Sequence, residues 1–196
     1  MRAFGFWFAV CVAVTVRATS VVPPTFDELV AGSSLVFRGE VTGVRVGYSG
    51  EAGQRHPATF VTFSVERVLK GSAEGPLTLE FMGGEVAGHR LLIAGLPRFV
   101  PGERGVFFIE DRAGRLCPVL RLRHGRYRLV KDAATGHERV ARDDGSPLVA
   151  ATDVQAALGG AEEPRVAAMS ADGMELGAFE QAVIAQASGG TGSNPR

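Results

Sequence analysis

The feature that most constrains the fold is a succession of short apolar segments, several of which alternate apolar with polar residues. In the first, spanning 34–48, Leu35, Phe37 and Val41 alternate with charged or hydroxyl side chains, which is the period of a half-buried strand. Glycine and proline turns separate the segments. The pattern predicts a mainly β chain, folded as a small antiparallel barrel or sandwich. The further strands are predicted at 58–69, 76–82, 104–110, 116–122 and 126–131.

Helices are expected at both ends of this β region. Thr25 and Glu28 have the spacing of a capping box, which predicts a short helix over 26–31. Beyond residue 147 the chain becomes rich in alanine, and 153–158 and 174–187 have helical patterns. We therefore divide the chain into a β-barrel domain at 25–148, a helical extension at 149–188 and a flexible tail at 189–196.

The N-terminal residues have the pattern of a secretory signal peptide. Arg2 precedes an apolar run at 3–16, and small residues follow that run. We predict a signal peptide at 1–18, cleaved after Ala18, with Ser20 as the later alternative. The protein is accordingly expected to be extracytoplasmic, either periplasmic or secreted.

Two other interpretations of this segment are a buried N-terminal helix and an uncleaved membrane anchor. The apolar run is short for a membrane span, and Pro23 and Pro24 stop a helix from continuing. No stable membrane span is therefore expected after cleavage.

The charge balance excludes some classes of partner. The chain has 21 basic and 21 acidic side chains, and removal of Arg2 and Arg17 with the signal leaves 19 against 21, or about −2. Nonspecific attraction to nucleic acid or to an anionic membrane is not expected. Of the two cysteines, Cys117 alone remains, so no intramolecular disulfide is expected.

Three motifs carry a resemblance. They are VERVLKG at 65–71, FVPGERGVFF at 99–108 and GRY at 125–127. With them the chain resembles uncharacterised exported bacterial proteins, which are weakly similar to the netrin-like barrels of the tissue inhibitors of metalloproteinases. Over about 25–131 the resemblance implies a five-stranded Greek-key, OB-like barrel with a flanking helix and no catalysis. Those inhibitors present an N-terminal cysteine to a target's zinc, which nothing here matches.

Enzyme motifs are lacking in the sequence. The histidines have no second ligand at metal-site spacing, and neither a nucleophile elbow nor a phosphate-binding loop is present. Cys117 lies between apolar residues and is expected to be buried and unreactive. We predict no metal site and no cofactor. The four histidines are His56, His89, His124 and His137.

Two functional classes follow from these observations. The first is an exported, non-enzymatic binding module that presents the long loop at 83–102, including His89 and Arg90, to an exported protein. The alternative is a secreted or periplasmic enzyme, a hydrolase, whose catalytic groups form no recognisable motif.

A second candidate surface is an arginine-rich hairpin at 121–128. If His124 and Gly125 form its turn, four arginines share one face, and something anionic must offset the opposed charges. That partner is either an acidic protein or polymer docking there, or water and carboxylates of this chain such as Glu103, Glu110 and Asp111. The four arginines are Arg121, Arg123, Arg126 and Arg128.

Overall fold

The computed structural model describes residues 22–51, 53–110, 116–158 and 173–189. The predicted signal peptide, at 1–18 or extending to residue 20, lies outside these residues. The predicted tail lies outside them as well, apart from its first residue, Gly189.

The fold is mainly β, as predicted. Six antiparallel strands form one sheet in the order β3-β2-β1-β6-β7-β8, and β4 and β5 form a separate two-stranded sheet. The strands predicted at 34–48, 58–69, 76–82, 104–110 and 126–131 are confirmed to within two residues at each end. The strands are β1 (Leu35–Ser49), β2 (His56–Lys70), β3 (Leu77–Met82), β4 (Gly84–Val86), β5 (His89–Leu91), β6 (Arg104–Ile109), β7 (Arg126–Lys131) and β8 (Glu138–Arg142).

The described sheet is open. Its order has two ends, β3 and β8, which do not pair with each other in the part of the chain that the structure describes. On its outer side β8 meets other segments through the bridges Arg139 to Glu175 and Ala141 to Pro147. The predicted closed barrel is therefore not confirmed.

Two α-helices accompany the sheet. The first, α1 (Phe26–Gly32), has the predicted capping box: the Glu28 amide donates to Thr25 Oγ1 at 3.1 Å and the Thr25 amide donates to Glu28 Oε2 at 2.8 Å. The second, α2 (Leu176–Gly189), matches the pattern predicted at 174–187. Neither helix of the described chain is long and apolar enough to cross a membrane.

The helix predicted at 153–158 is wrong. A 3-10 turn at Ala151–Gln155 stands there instead, and the Asp153 carboxylate accepts the Ala150 amide at 2.7 Å. A short segment gains too few backbone bonds to offset the cost of starting an α-helix. The segment therefore forms a single capped 3-10 turn.

The sheet is buried on both faces, and β6 shows this most clearly. Val106 and Phe108 point to a helix-side core, where Phe179 of α2 packs against Phe108 and Tyr127. Phe107 points to the opposite face. There it joins the aromatic core, which consists of Phe37, Phe63, Phe81, Phe99 and Phe107.

Two glycines allow neighbouring strands to pack closely beneath these rings. Gly39 of β1 pairs with Gly105 of β6. A Cβ on Gly39 would lie 2.5 Å from the Ser64 carbonyl oxygen, and one on Gly105 would lie 2.5 Å from that of Tyr127. Real Cβ atoms do not approach backbone so closely, so the glycines hold the strands in this close packing.

Candidate functional site

The predicted hairpin at 121–128 is not formed. The segment Leu122–Gly125 is a 3-10 turn, and Arg121 before it adopts a left-handed conformation with φ 52°. Segment 116–122 contains no strand; its one ladder contact is a bridge from Val119 to Ile109. The expected register, with Arg123 opposite Arg126, is therefore wrong.

The hairpin does not form because both edges of β7 pair with other strands. β7 pairs with β6 through Tyr127 and Val106 on one side, and with β8 through Leu129 and Val140 on the other. Both of its edges are thus occupied by strands from elsewhere in the chain. The preceding turn is compact, because a Cβ on Gly125 would lie 2.5 Å from the Leu120 carbonyl oxygen.

Arg126 is buried rather than displayed. Its side chain is 4% exposed and forms ion pairs with Glu103 at 2.7 Å and with Asp143 at 3.2 Å. It also donates to the Arg98 carbonyl oxygen and lies 4.6 Å from the centre of the Phe99 ring. Burial lowers the pKa of Arg126 below its ordinary value, and the two carboxylates oppose that shift. The residue therefore fixes the 98–103 segment over the aromatic core.

The neighbouring arginines share the same two carboxylates. Arg128 pairs with Glu103 at 2.6 Å, and Arg123 pairs with Asp143. Glu103 is one of the intramolecular partners expected from the sequence, whereas Asp143 was not anticipated. Arg121 is exposed. The ion pairs favour a structural role for this group, and its role in binding a partner stays a prediction.

The loop predicted at 83–102 contains regular structure, which the irregular sequence pattern does not predict. β4 and β5 form a hairpin in which Val86 pairs with His89. Ala87 and Gly88 connect them with φ values of 49° and 80°, as a two-residue type I′ turn requires. The Ala-Gly pair at 87–88 was the available signal, because glycine accepts this conformation readily.

His89 and Arg90 lie on this hairpin, near the end of β1. The Tyr48 hydroxyl donates to the Val86 carbonyl oxygen at 3.2 Å and lies 3.1 Å from His89 Nδ1. The tautomer of His89 decides which of the two atoms donates in the second contact. Arg90 is 63% exposed and lies 3.8 Å from Glu85. The hairpin is therefore held to β1 by a tyrosine and leaves its charged side chains in solvent.

The two halves of β1 have different neighbours. In the proximal half, 35–41, the strand lies between β2 and β6, and the ladder to β6 ends at Glu40. A last pair of bonds joins Val41 to Gly102 and Glu103. The distal half, 42–49, is paired with β2 on one side, and on its other side no described strand lies beside it. A free sheet edge results.

Apolar side chains line this free edge. Val44, Val46 and Tyr48 alternate along it and are 37%, 43% and 39% exposed. β4 lies close above, since a Cβ on Gly84 would be 2.5 Å from Val46 Cγ1. Leu92, directly after β5, is 69% exposed. We call Val44, Val46, Tyr48, His89 and Leu92 the edge surface.

A second charged group fastens α2 to the sheet. Glu180 of α2 is almost fully buried and binds Arg38 at 2.8 Å and Arg67 at 2.5 Å. Glu66 joins Arg38 to Arg104, which also pairs with Glu138 of β8. The hydrogen bond from Arg104, aided by Arg38, holds the pKa of Glu66 below its usual value. The group links five elements, and its three arginines are balanced by three glutamates.

A shallow depression lies beside this group. It has a volume of about 270 Å³. Its lining includes Glu138, Glu175 and Glu180, with His137 at 3.5 Å from Glu175. Within the described ranges, no group of three or more histidine, cysteine or acidic side chains is arranged to hold a metal ion.

Cys117 is buried, as predicted, and is 3% exposed. Burial raises the pKa of its thiol to about 12, and the charges of Glu110 and Asp143 add to this. His124 is also buried, and burial lowers the pKa of its imidazole. The protonated, buried thiol of Cys117 therefore has neither the exposure nor the charge state of a nucleophile at neutral pH.

Comparison with known proteins adds no family. The chain matches no protein-family model and no curated protein sequence. The candidate site therefore depends on its own geometry.

Proposed function

We propose that this chain is an exported, non-enzymatic module that binds a protein partner through the edge surface. The observation that carries the proposal is the free edge in the distal half of β1, where apolar side chains stand exposed beside backbone groups that pair with no described strand. Clustered apolar exposure of this kind is typical of interaction sites. An exposed sheet edge additionally offers backbone hydrogen bonds to a partner's strand.

The arrangement around the edge supports this function. The hairpin of β4 and β5 is positioned by Tyr48 and by the contact of Gly84 with Val46, so the edge surface is built on paired strands. A surface held in place this way loses little conformational entropy when it binds. Arg90 and Glu85 of the same hairpin are exposed and lie outside the edge surface.

Export is the other part of the proposal. It depends on the basic start, the apolar run at 3–16 and the small residues near Ala18. The resemblance to netrin-like barrels and the closure of the sheet into a Greek-key barrel also stay predictions. An open sheet edge at β1 serves the binding proposal in either architecture.

Affinity recovery of tagged protein from the exported fraction of the source cells tests the proposal. We expect a stoichiometric protein partner with the wild type, and its loss when Val44→Lys and Leu92→Lys are combined, because each places a charge on the edge surface. Val149→Lys is the matched control, since Val149 is 58% exposed and lies outside the edge surface. Equal recovery by all three proteins, or turnover of a hydrolase substrate with no partner recovered, would contradict the proposal.

A further inference from the structure

The backbone of the distal half of β1 presents, at regular intervals, hydrogen-bonding groups that no described residue pairs with. The Pro57 carbonyl oxygen accepts the Gly83 amide at 2.8 Å, so the backbone of Pro57 faces β3 rather than β1. Tyr48, its partner in the register, therefore directs its own amide and carbonyl away from β2. By alternation, Val46 and Val44 do the same.

This edge has neither the proline nor the lysine that commonly protects an exposed strand. Such edges are normally blunted by proline, by lysine or by a covering segment, because a bare edge is a template for another strand. From Thr42 to Ser49 the strand has no proline and no lysine, and its one charged residue is Arg45. Arg45 lies over the Phe60 ring, 4.3 Å from its centre, on the face opposite Val46. The apolar side chains are thus left without a charged neighbour on their own face of the strand.

We propose that the strand that pairs with this edge is the same segment of a second copy of the chain, antiparallel and with Val46 opposite Val46. The proposal rests on the proposed function and names its partner. A two-fold axis perpendicular to the sheet keeps the apolar faces of both copies on one side. It joins two β2-β1 pairs into a continuous sheet.

The sequence of the edge is self-complementary in this register. Val44 lies opposite Tyr48 of the second copy, and Val46 meets its own equivalent, which places apolar side chains together on one face. On the other face Arg45 lies opposite Gly47, which has no side chain to obstruct it. Within one copy the Arg45 guanidinium already extends over Gly47, 3.1 Å from where a Cβ would stand.

A symmetric register shifted by one residue is disfavoured by charge. Centred on Arg45, it would again join valines, but it would place the two arginines directly opposite each other. Directly opposed like charges destabilise a strand pair. Of these two registers, the sequence favours the one centred on Val46.

The dimer is expected to be weak. Stable interfaces bury at least about 1,200 Å² in total, and a single pair of eight-residue strands forms a small contact by that standard. Association is therefore expected to depend on concentration, with a dissociation constant on the order of micromolar.

Sedimentation equilibrium of the full chain over a range of concentrations tests whether a second copy pairs with this edge. Wild type and Val149→Lys are expected to dimerise equally, whereas Val46→Lys weakens the dimer at least about tenfold, because the axis places both lysines opposite each other. Val46→Glu is expected to act similarly by itself. An equimolar mixture of Val46→Lys and Val46→Glu should recover the dimer, since opposite charges then meet. Thermal unfolding of each variant verifies folding.

Cysteine crosslinking tests the register. In a Cys11→Ser background, Val46→Cys is expected to form a disulfide-linked dimer, because directly paired strand residues lie within disulfide reach. Arg45→Cys is not expected to do so, since its equivalent is diagonal to it. The opposite result, with Arg45→Cys crosslinked and Val46→Cys unlinked, would overturn the register.

The outcomes separate this inference from the proposed function. A wild type that stays monomeric at all concentrations, or a mixture of the charged variants that fails to recover the dimer, overturns the second copy as the occupant. If affinity recovery still yields a different protein that depends on Val44 and Leu92, the binding function stands and its partner is that protein. If neither association occurs, both proposals fail.

Discussion

The proximal and distal halves of β1 are alike in sequence and opposite in environment. Both alternate β-branched or aromatic residues with polar ones and glycines. Val36, Phe37 and Val41 of the proximal half are fully buried, whereas Val46 of the distal half is 43% exposed. Neighbouring strands, rather than strand propensity, make this difference, because a strand is stabilised chiefly by what packs on its faces.

The two halves are also attached differently. The proximal half is fixed by the aromatic core on one face and by the ion pairs of Arg38 with Glu66 and Glu180 on the other. The distal half is attached through β2, with added contacts to the β4-β5 hairpin. Stability is therefore expected to be concentrated in the proximal half, and surface available for binding in the distal half.

Removal of one ring from each half gives the largest contrast. Phe37→Ala is expected to lower the free energy of unfolding by about 3–5 kcal/mol, because Phe37 is fully buried and packs on Phe63 and Phe107. Tyr48→Ala is expected to cost about 1 kcal/mol, since its ring is 39% exposed and it loses mainly one hydrogen bond. Urea denaturation measures both. Equal losses would show that the two halves are equally attached.

Removal of one charge from each half gives an intermediate contrast. Glu180→Ala is expected to cost about 2 kcal/mol, because Arg38 and Arg67 lose a buried counter-ion but regain some water. Arg45→Ala, on the distal half, is expected to cost less than about 1 kcal/mol, the value of an exposed contact between a cation and a ring.

A matched control for Glu180→Ala lies directly before α2. Glu175→Ala removes an acid whose side chain is 54% exposed, and its effect is expected to lie within about 0.5 kcal/mol. If Glu180→Ala and Glu175→Ala had the same effect in urea denaturation, the buried ion pairs would contribute nothing specific.

The smallest expected effect is on the pH dependence of stability, compared between the wild type and Glu66→Gln. Arg104, with Arg38, keeps the pKa of Glu66 lower in the folded chain than in the unfolded chain. The resulting stabilisation is present above the unfolded pKa and is lost as the pH falls through the folded pKa. Wild type should therefore lose more stability than Glu66→Gln on acidification from about pH 5 to about pH 3. Parallel pH profiles of urea midpoints for the two proteins would show that Glu66 contributes nothing to acid sensitivity.

The sequence predicts the strands well because period-two patterning is a local signal. Leu35, Phe37 and Val41 locate β1, and the run from Val106 to Ile109 locates β6 as a strand buried on both faces. The capping box at Thr25 is equally local. Such signals depend on residues close together in the chain. They are confirmed for these elements, whereas the strand predicted at 116–122 and the helix predicted at 153–158 are not formed.

What the sequence predicts poorly is which segments meet. Arg126 and Arg123 share Asp143, and Arg38 binds Glu180 across 142 positions. No local pattern identifies those partners. The hairpin centred on His124 is wrong for the same reason, because β6 and β8 occupy the edges of β7. The free edge of β1 is likewise a result of where β6 ends.

Amide hydrogen exchange of residues 43–49 in dilute protein tests the central claim most directly. We expect Val44, Val46 and Tyr48 to exchange rapidly, because their amides face solvent, and Arg45 and Gly47 to exchange slowly, because theirs face β2. Uniformly slow exchange along the segment at the same dilution would contradict the account, since it would mean that the edge of β1 is already covered within a single chain.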